Sequence, residues 1–225
     1  MQPSLLQRSP EGLFTLRSAR SLRLVLKRLF DILFSILALL GGIPLLALLG
    51  LLIWLVDPGP ILYSQVRMGR YGRPFRIWKL RSMTVDAEEQ LQELLGSDAS
   101  LREEWASSQK LQRDPRITPL GAWLRRTSLD ELPQFWNVLI GDLSLVGPRP
   151  LTRPEIETHL QEAALEILSM RPGLTCTWQL SGRSHLTYAQ RVALDLEYVR
   201  TWTFPVDLRM IVQTVTQMLR PCGAY

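Results

Sequence analysis

Asp130 and Glu131 are adjacent carboxylates that follow the cationic pair Arg125 and Arg126, and Arg149 stands between Pro148 and Pro150 a short distance on. A carboxylate can attack phosphorus or bind a divalent metal, and guanidinium groups grip phosphate oxygens in pairs. The combination points to phosphoryl chemistry. The same residues also fit a purely structural role. Ser128-x-x-Glu131 has the spacing of a helix capping box, and Asp130 precedes Pro133 as an N-cap precedes a first-turn proline. The two readings are compatible, because a carboxylate at a helix N-terminus stays ionised and the free N–H groups there hold phosphate. If capping is their only role, the chain is a non-catalytic membrane-anchored scaffold.

Other chemistries find little support. Cys176 and Cys222 are the only cysteines and His159 and His185 the only histidines, so neither a zinc cage nor a disulfide framework is indicated. The formal net charge is +5, with Arg17, Arg20, Arg23, Lys27 and Arg28 leading into an apolar run. Basic residues beside an apolar segment read as contacts with anionic lipid headgroups. No nucleic-acid recognition motif accompanies the charge, so nucleic acid is not a partner.

The elements that must position the carboxylates come from hydropathy. Residues 32–56 contain no charge, and the wider stretch 22–56 is long enough for a membrane helix. Gly41, Gly42 and Pro44 lie near its middle, and the proline predicts a bend there. Two half-helices could then dip in and return to one face; basic residues on both flanks favour the return, while a kinked helix that still crosses is the alternative. The resulting division is a loose tail at 1–21, the apolar helix at 22–56 and one catalytic domain at 57–225. Within that domain, segments 61–66 and 75–80 read as a β-hairpin around Gly69 and Gly72. Residues 86–110 read as amphipathic helix broken near 96–98, and 120–126 as a short helix carrying Arg125. Leu132, Phe135, Trp136, Leu139 and Ile140 follow helical spacing. Helices are expected over 154–168, 188–202 and 206–219, the last suited to lying on a membrane or core. Lys79, Arg81 and Arg183 are further candidates for holding an anionic substrate.

Four motifs occurring in order give the chain a family likeness: Lys27-Arg28-Leu-Phe-Asp31 before the apolar segment, Ser128-Leu-Asp-Glu-Leu-Pro-Gln134, Gly141-Asp-Leu-Ser-Leu-Val-Gly-Pro-Arg-Pro150, and Arg171-Pro-Gly-Leu-Thr175 with Trp178-Gln-Leu-Ser-Gly-Arg183. They resemble the bacterial monotopic phosphoglycosyl transferases, here in a form with the catalytic core alone. The resemblance implies an α+β, mainly helical fold: a re-entrant membrane helix bent at Pro44, then a small cytoplasmic domain with a short β-hairpin and amphipathic interfacial helices. It implies transfer of hexose-1-phosphate from a UDP-sugar to undecaprenyl phosphate at the cytoplasmic face of the bacterial inner membrane, with release of UMP, at the start of surface polysaccharide synthesis. Asp130 is the implied nucleophile, through a phospho-aspartyl intermediate, and Glu131 its partner beside Mg²⁺, which the two carboxylates would ligate. Arg125 and Arg149 are the implied phosphate or nucleotide contacts. The inner membrane lipids are implied partners, and the oligomeric state is left open, a homodimer included. Two positions depart from the pattern: Ile43 replaces the serine that many relatives place before the bending proline, and Cys176 stands where they usually have glycine.

Overall fold

The computed structural model describes residues 10–108, 111–181 and 186–219. The apolar stretch forms a single helix, α1 (Pro10–Val56), with Pro44 inside it. It starts upstream of Leu22, so part of the expected tail is helical. Extending an existing helix avoids the nucleation cost, and between 13 and 43 neither proline nor glycine interrupts before Gly41. Within Leu22–Val56 an 18-residue window reaches a mean hydropathy of 2.7.

Polar side chains on α1 lock its first half to the domain. Lys27, expected at lipid headgroups, is instead buried, 2.5 Å from Asp207 and 2.9 Å from the Val146 carbonyl. Arg28 donates to the Val138 and Leu139 carbonyls, and Asp31 accepts from Ser144 Oγ and Leu145 N. Each of these charges meets hydrogen-bond partners on the domain, backbone or side chain, which is what a charge inside a protein needs. The second half docks through apolar contacts, where Leu49 and Ile53 are buried with Leu80 and Leu124.

After α1 come β1 (Leu62–Met68) and β2 (Pro74–Leu80), the expected antiparallel hairpin, in a register that pairs Leu62 with Leu80 and Met68 with Pro74. Its tip is fixed from across the domain: Tyr71 N donates to the Leu168 carbonyl and Arg70 Nε to that of Ser169. Helices α2 (Ala87–Ser97) and α3 (Ala99–Ser108) follow, separated at Asp98 as the break near 96–98 predicts. Then α4 (Pro119–Thr127) and α5 (Gln134–Ile140) flank the carboxylate pair.

Beyond them, β3 (Ser144–Val146) pairs in parallel with β4 (Gly173–Thr175), a two-stranded sheet that the sequence did not reveal because each strand is only three residues long, too short to show alternation. A Cβ on Gly173 would lie 2.1 Å from Gly147 N, so only glycine permits this approach. The single helix expected over 154–168 is divided into α6 (Arg153–His159), a 3-10 turn and α7 (Ala164–Ile167); the division closes Leu160 and Ile167 together on Leu151. A short α8 (Thr177–Leu180), then α9 (Tyr188–Thr201) and α10 (Phe204–Leu219) complete the described residues. The main core joins Val138, Leu143, Val146, Tyr198, Val199 and Met210, with Phe30 and Phe34 of α1 packed against it. The architecture is the expected α+β type, mainly helical with one hairpin and a long apolar N-terminal helix.

Candidate active site

Helix α4 sets the position of the carboxylates. Thr118 caps its start, accepting from Gly121 N at 2.9 Å, and Pro119 occupies the first turn where its lost N–H is harmless. Gly121 allows the helix to sit directly on the strand exit: a Cβ there would lie 1.9 Å from the Ser82 carbonyl oxygen. At the other end Ser128 adopts a left-handed conformation, φ 57°, and stops the helix. The chain turns through a 3-10 turn, Leu129–Glu131, before α5 begins at Gln134.

This local geometry overturns the capping reading. Ser128 ends α4 and makes no side-chain cap bond to the following turn, and α5 takes Pro133, not Asp130, as its N-cap residue. Neither carboxylate is consumed by a helix terminus. Asp130 is buried, while Glu131 is partly open. Lys79, at the end of β2, lies 2.6 Å from Glu131 Oε1 and 4.0 Å from Asp130 Oδ2. Burial pushes the Asp130 carboxyl up to about 6; Lys79 opposes that rise, Glu131 adds to it and Arg125 opposes it. The result is a carboxylate that ionises near neutrality in a setting short of water, beside two cations.

Arg125 reaches this group from the last turn of α4. Its Nε donates to Ser82 Oγ at 2.8 Å, and burial lowers its pKa while Asp130 and Asp114 raise it. Asp114 in turn grips Arg116, whose guanidinium also donates to the Ala87 carbonyl. One stretch of chain, Lys79 to Ser82, therefore supplies the partner of Glu131 and the partner of Arg125. The strand is held against α5 by Asn137, fully buried, which accepts from Trp78 N and donates to the Arg76 carbonyl.

The remaining candidates are distributed differently. Arg81 is buried against Asp57 at the end of α1, donating to its carbonyl, and makes no bond to the carboxylate pair. Arg149 lies on the face of Trp178, its guanidinium carbon 4.6 Å from the ring centroid. Its backbone N–H donates to Asp195, whose carboxyl burial pushes up to about 6 while the Arg149 and Thr177 hydrogen bonds oppose the rise. Arg183 falls outside the described residues. Burial likewise drives the Cys176 thiol upward, which leaves it a poor nucleophile. A cleft of about 230 Å³ between α8, α9 and α10, lined by Thr177, Tyr198, Met210 and Gln213, contains neither carboxylate.

Sequence reading missed Ser82, Asn137 and Asp195. Asp195 alone left a trace: it shares the inward face of α9 with Val192, Leu196 and Val199, a place where an acid is costly unless bonded.

Comparison with known proteins agrees with this arrangement. The family model described as bacterial sugar transferase matches residues 22–221. The chain is 44% identical over 200 residues to the undecaprenyl-phosphate galactose phosphotransferase of Salmonella typhimurium, covering 89% of this chain and 42% of that protein. It is 43% identical over 199 residues to the exopolysaccharide production protein ExoY of Sinorhizobium fredii, covering 88% of each. With the UDP-glucose:undecaprenyl-phosphate glucose-1-phosphate transferase of Escherichia coli it shares 38% identity over 208 residues, again 42% of the longer protein. The chain thus spans about two fifths of some relatives and most of others, and it belongs to the bacterial sugar transferase family.

Proposed function

We propose that this chain transfers a hexose-1-phosphate from a UDP-sugar to undecaprenyl phosphate, releasing UMP, as an initiating step of surface polysaccharide synthesis. The observation that carries the reading is the placement of Asp130: buried, free of any capping role, and set beside Lys79 and Arg125. The names of the relatives support the substrate classes.

In the first half-reaction an Asp130 carboxylate oxygen bonds to the β-phosphorus and the bridging P–O bond breaks, its electron pair leaving with UMP. In the second, a phosphate oxygen of the lipid attacks the phospho-aspartyl phosphorus, forming the lipid diphosphate sugar and restoring the carboxylate. No proton is required by the nucleophile, and Lys79 and Arg125 offset negative charge on the transferred phosphoryl group. Glu131 holds Lys79 in place. Two adjacent hard oxygen donors suit Mg²⁺, which commonly takes one or two carboxylates and completes its shell with substrate phosphate and water. When bound by Asp130 and Glu131, the ion supplies Lewis-acid stabilisation of phosphoryl oxygens.

The membrane segment is read as re-entrant, with its bend at Pro44 and the catalytic domain on the cytoplasmic side of the inner membrane. In support, both halves of α1 engage the same domain. From Ser35, fully buried, to Leu49, also buried, the helix rises by about 21 Å at 1.5 Å per residue. That is short of the roughly 30 Å needed to cross the hydrocarbon core. A helix returned to its own side delivers the site to the headgroup level, where a lipid phosphate resides.

The test is an assay of UMP release from UDP-glucose and UDP-galactose by the membrane-embedded chain, with and without undecaprenyl phosphate and Mg²⁺. Lipid-dependent formation of a diphosphate-linked sugar is expected. Failure with every UDP-sugar would refute the reading.

A further inference from the structure

The consecutive side chains Lys79, Leu80, Arg81 and Ser82, at the exit of β2, go to different places. Lys79 meets Glu131 and Asp130, and Ser82 meets Arg125. Between them Leu80 is buried with Leu49 and Ile53 of the second half of α1. Arg81 turns to the end of the same helix. Its side chain is 8% exposed, its Nη2 donates to the Asp57 carbonyl, and that nitrogen lies 3.6 Å from Asp57 Oδ2. Asp57 directly follows α1 and keeps its hydrogen-bond pattern, its N–H donating to the Ile53 carbonyl at 3.0 Å. The Asp57 carboxylate also accepts from Val85 N at 2.9 Å, and Arg81 N donates to the Ile61 carbonyl at 2.8 Å. The turn that leaves α1 is thus tied to the strand exit at both of its ends. Desolvating a guanidinium is costly, and an apolar side chain would fill the same space without that cost. What the guanidinium adds is direction, because its planar fork fixes the atoms it bonds, whereas apolar contacts let segments slide.

We propose that Arg81 is a positioning residue: it makes the end of the apolar helix, at Asp57, the reference point from which β2 places Lys79 beside the carboxylates and Ser82 beside Arg125. The proposal rests on the transfer reaction set out above and gives α1 a part in it beyond anchorage. Arg81 itself makes no bond to Asp130 or Glu131, so it acts through its neighbours in the chain. Both cations that face Asp130, one on the strand and one held by Ser82, are then set relative to a helix that lies in lipid. Transfer to a membrane-borne acceptor requires a fixed relation of this kind, because reacting groups must meet at close range in one geometry.

The experiment compares the membrane-embedded chain with its Arg81→Gln, Arg81→Lys and Asp57→Asn variants and with the double variant Arg81→Gln, Asp57→Asn. The first readout is UMP release from UDP-sugar in a single turnover without acceptor, where the amplitude counts intact sites and the rate constant reports their geometry. In Arg81→Gln the rate constant should fall by about ten- to a hundredfold at unchanged amplitude, the order of loss that a small misplacement of reacting groups causes. Arg81→Lys keeps a donor for Asp57 and should recover part of the rate. The double variant should be no slower than Arg81→Gln, the signature of one shared contact. The second readout is acetylation of lysines followed by mass spectrometry, with Lys27, buried against Asp207, as the gauge of an intact fold. Lys79 should be modified about three- to tenfold faster in Arg81→Gln while Lys27 stays protected, as loss of a restraining hydrogen bond predicts. An unchanged rate constant and unchanged Lys79 labelling overturn the proposal. So does labelling of Lys27 that rises with Lys79 in both Arg81→Gln and the milder Asp57→Asn, which would make Arg81 a residue of general stability. Losses that multiply in the double variant overturn it too, since the two residues would then act apart. Labelling needs no turnover: a wild-type chain that releases no UMP sinks the proposed reaction, while the Lys79 rate still decides the role of Arg81.

Discussion

Lys79 Nζ sits 2.6 Å from Glu131 Oε1 and 4.0 Å from Asp130 Oδ2, so a single ammonium group on the second strand ties both carboxylates to the β-hairpin. The strand end acts as the fixed frame against which the acidic turn is held. Ser82, three residues farther on, fixes Arg125 in the same way.

The first prediction follows from Lys79. Because this cation opposes the upward push of burial on Asp130, its removal raises the Asp130 pKa above about 6. Lys79→Gln should shift the acid limb of the kcat/KM profile to higher pH by about one unit. A profile superimposable on the wild type would show that Lys79 does not act through Asp130.

Asp130 also carries a stability signature. Its folded pKa of about 6 exceeds the ordinary 3.8, so between those values the unfolded chain releases a proton that the folded chain retains. Stability from this group is therefore greatest below about pH 4 and falls as pH rises through about 6. Asp130→Asn should abolish transfer yet raise stability at pH 7 by about 1–3 kcal/mol, with no gain at pH 4. Thermal unfolding of both proteins across that range checks the sign.

Lys27 anchors the membrane helix. Its bond to Asp207 at 2.5 Å is buried, and Asp207 also accepts from Tyr198 and Trp202. Lys27→Met leaves that carboxylate without its cation, a loss of about 3–5 kcal/mol. The paired Lys27→Met, Asp207→Asn variant should be less damaged than the first change alone. Urea titrations in detergent provide the measurement.

Topology is tested by labelling. In a background with Cys176 and Cys222 replaced by serine, cysteines at Ser4 and Ser64 should both be shielded from an impermeant maleimide applied to intact spheroplasts and both react after lysis. Reaction at position 4 alone before lysis would mean that α1 crosses the membrane.

The legible parts of this chain were those with a periodic or punctuated signal. The hairpin showed in alternation and in Gly69 and Gly72, and α4 in Thr118-Pro119. The membrane helix showed in its uncharged length. Ser128 misled, because its spacing to Glu131 imitates a capping box while its left-handed backbone in fact ends the preceding helix. Lys27 misled as well: a lysine beside an apolar run reads as a headgroup contact until its carboxylate partner, 180 residues away, is seen. Shorter separations along the chain hid Ser82, Asp195 and the pairing of β3 with β4 in the same way, since local pattern carries no record of which segments meet.

The most direct test of the account is to trap the covalent intermediate. The membrane-embedded chain is incubated with a UDP-sugar labelled at the β-phosphate, without lipid acceptor, then quenched and mapped by mass spectrometry. The account predicts stoichiometric UMP and a sugar-phosphate adduct on the peptide containing Asp130, absent in Asp130→Asn. UMP formed only when undecaprenyl phosphate is present, with no phosphate on the protein, would contradict it and indicate direct attack by the lipid on the UDP-sugar.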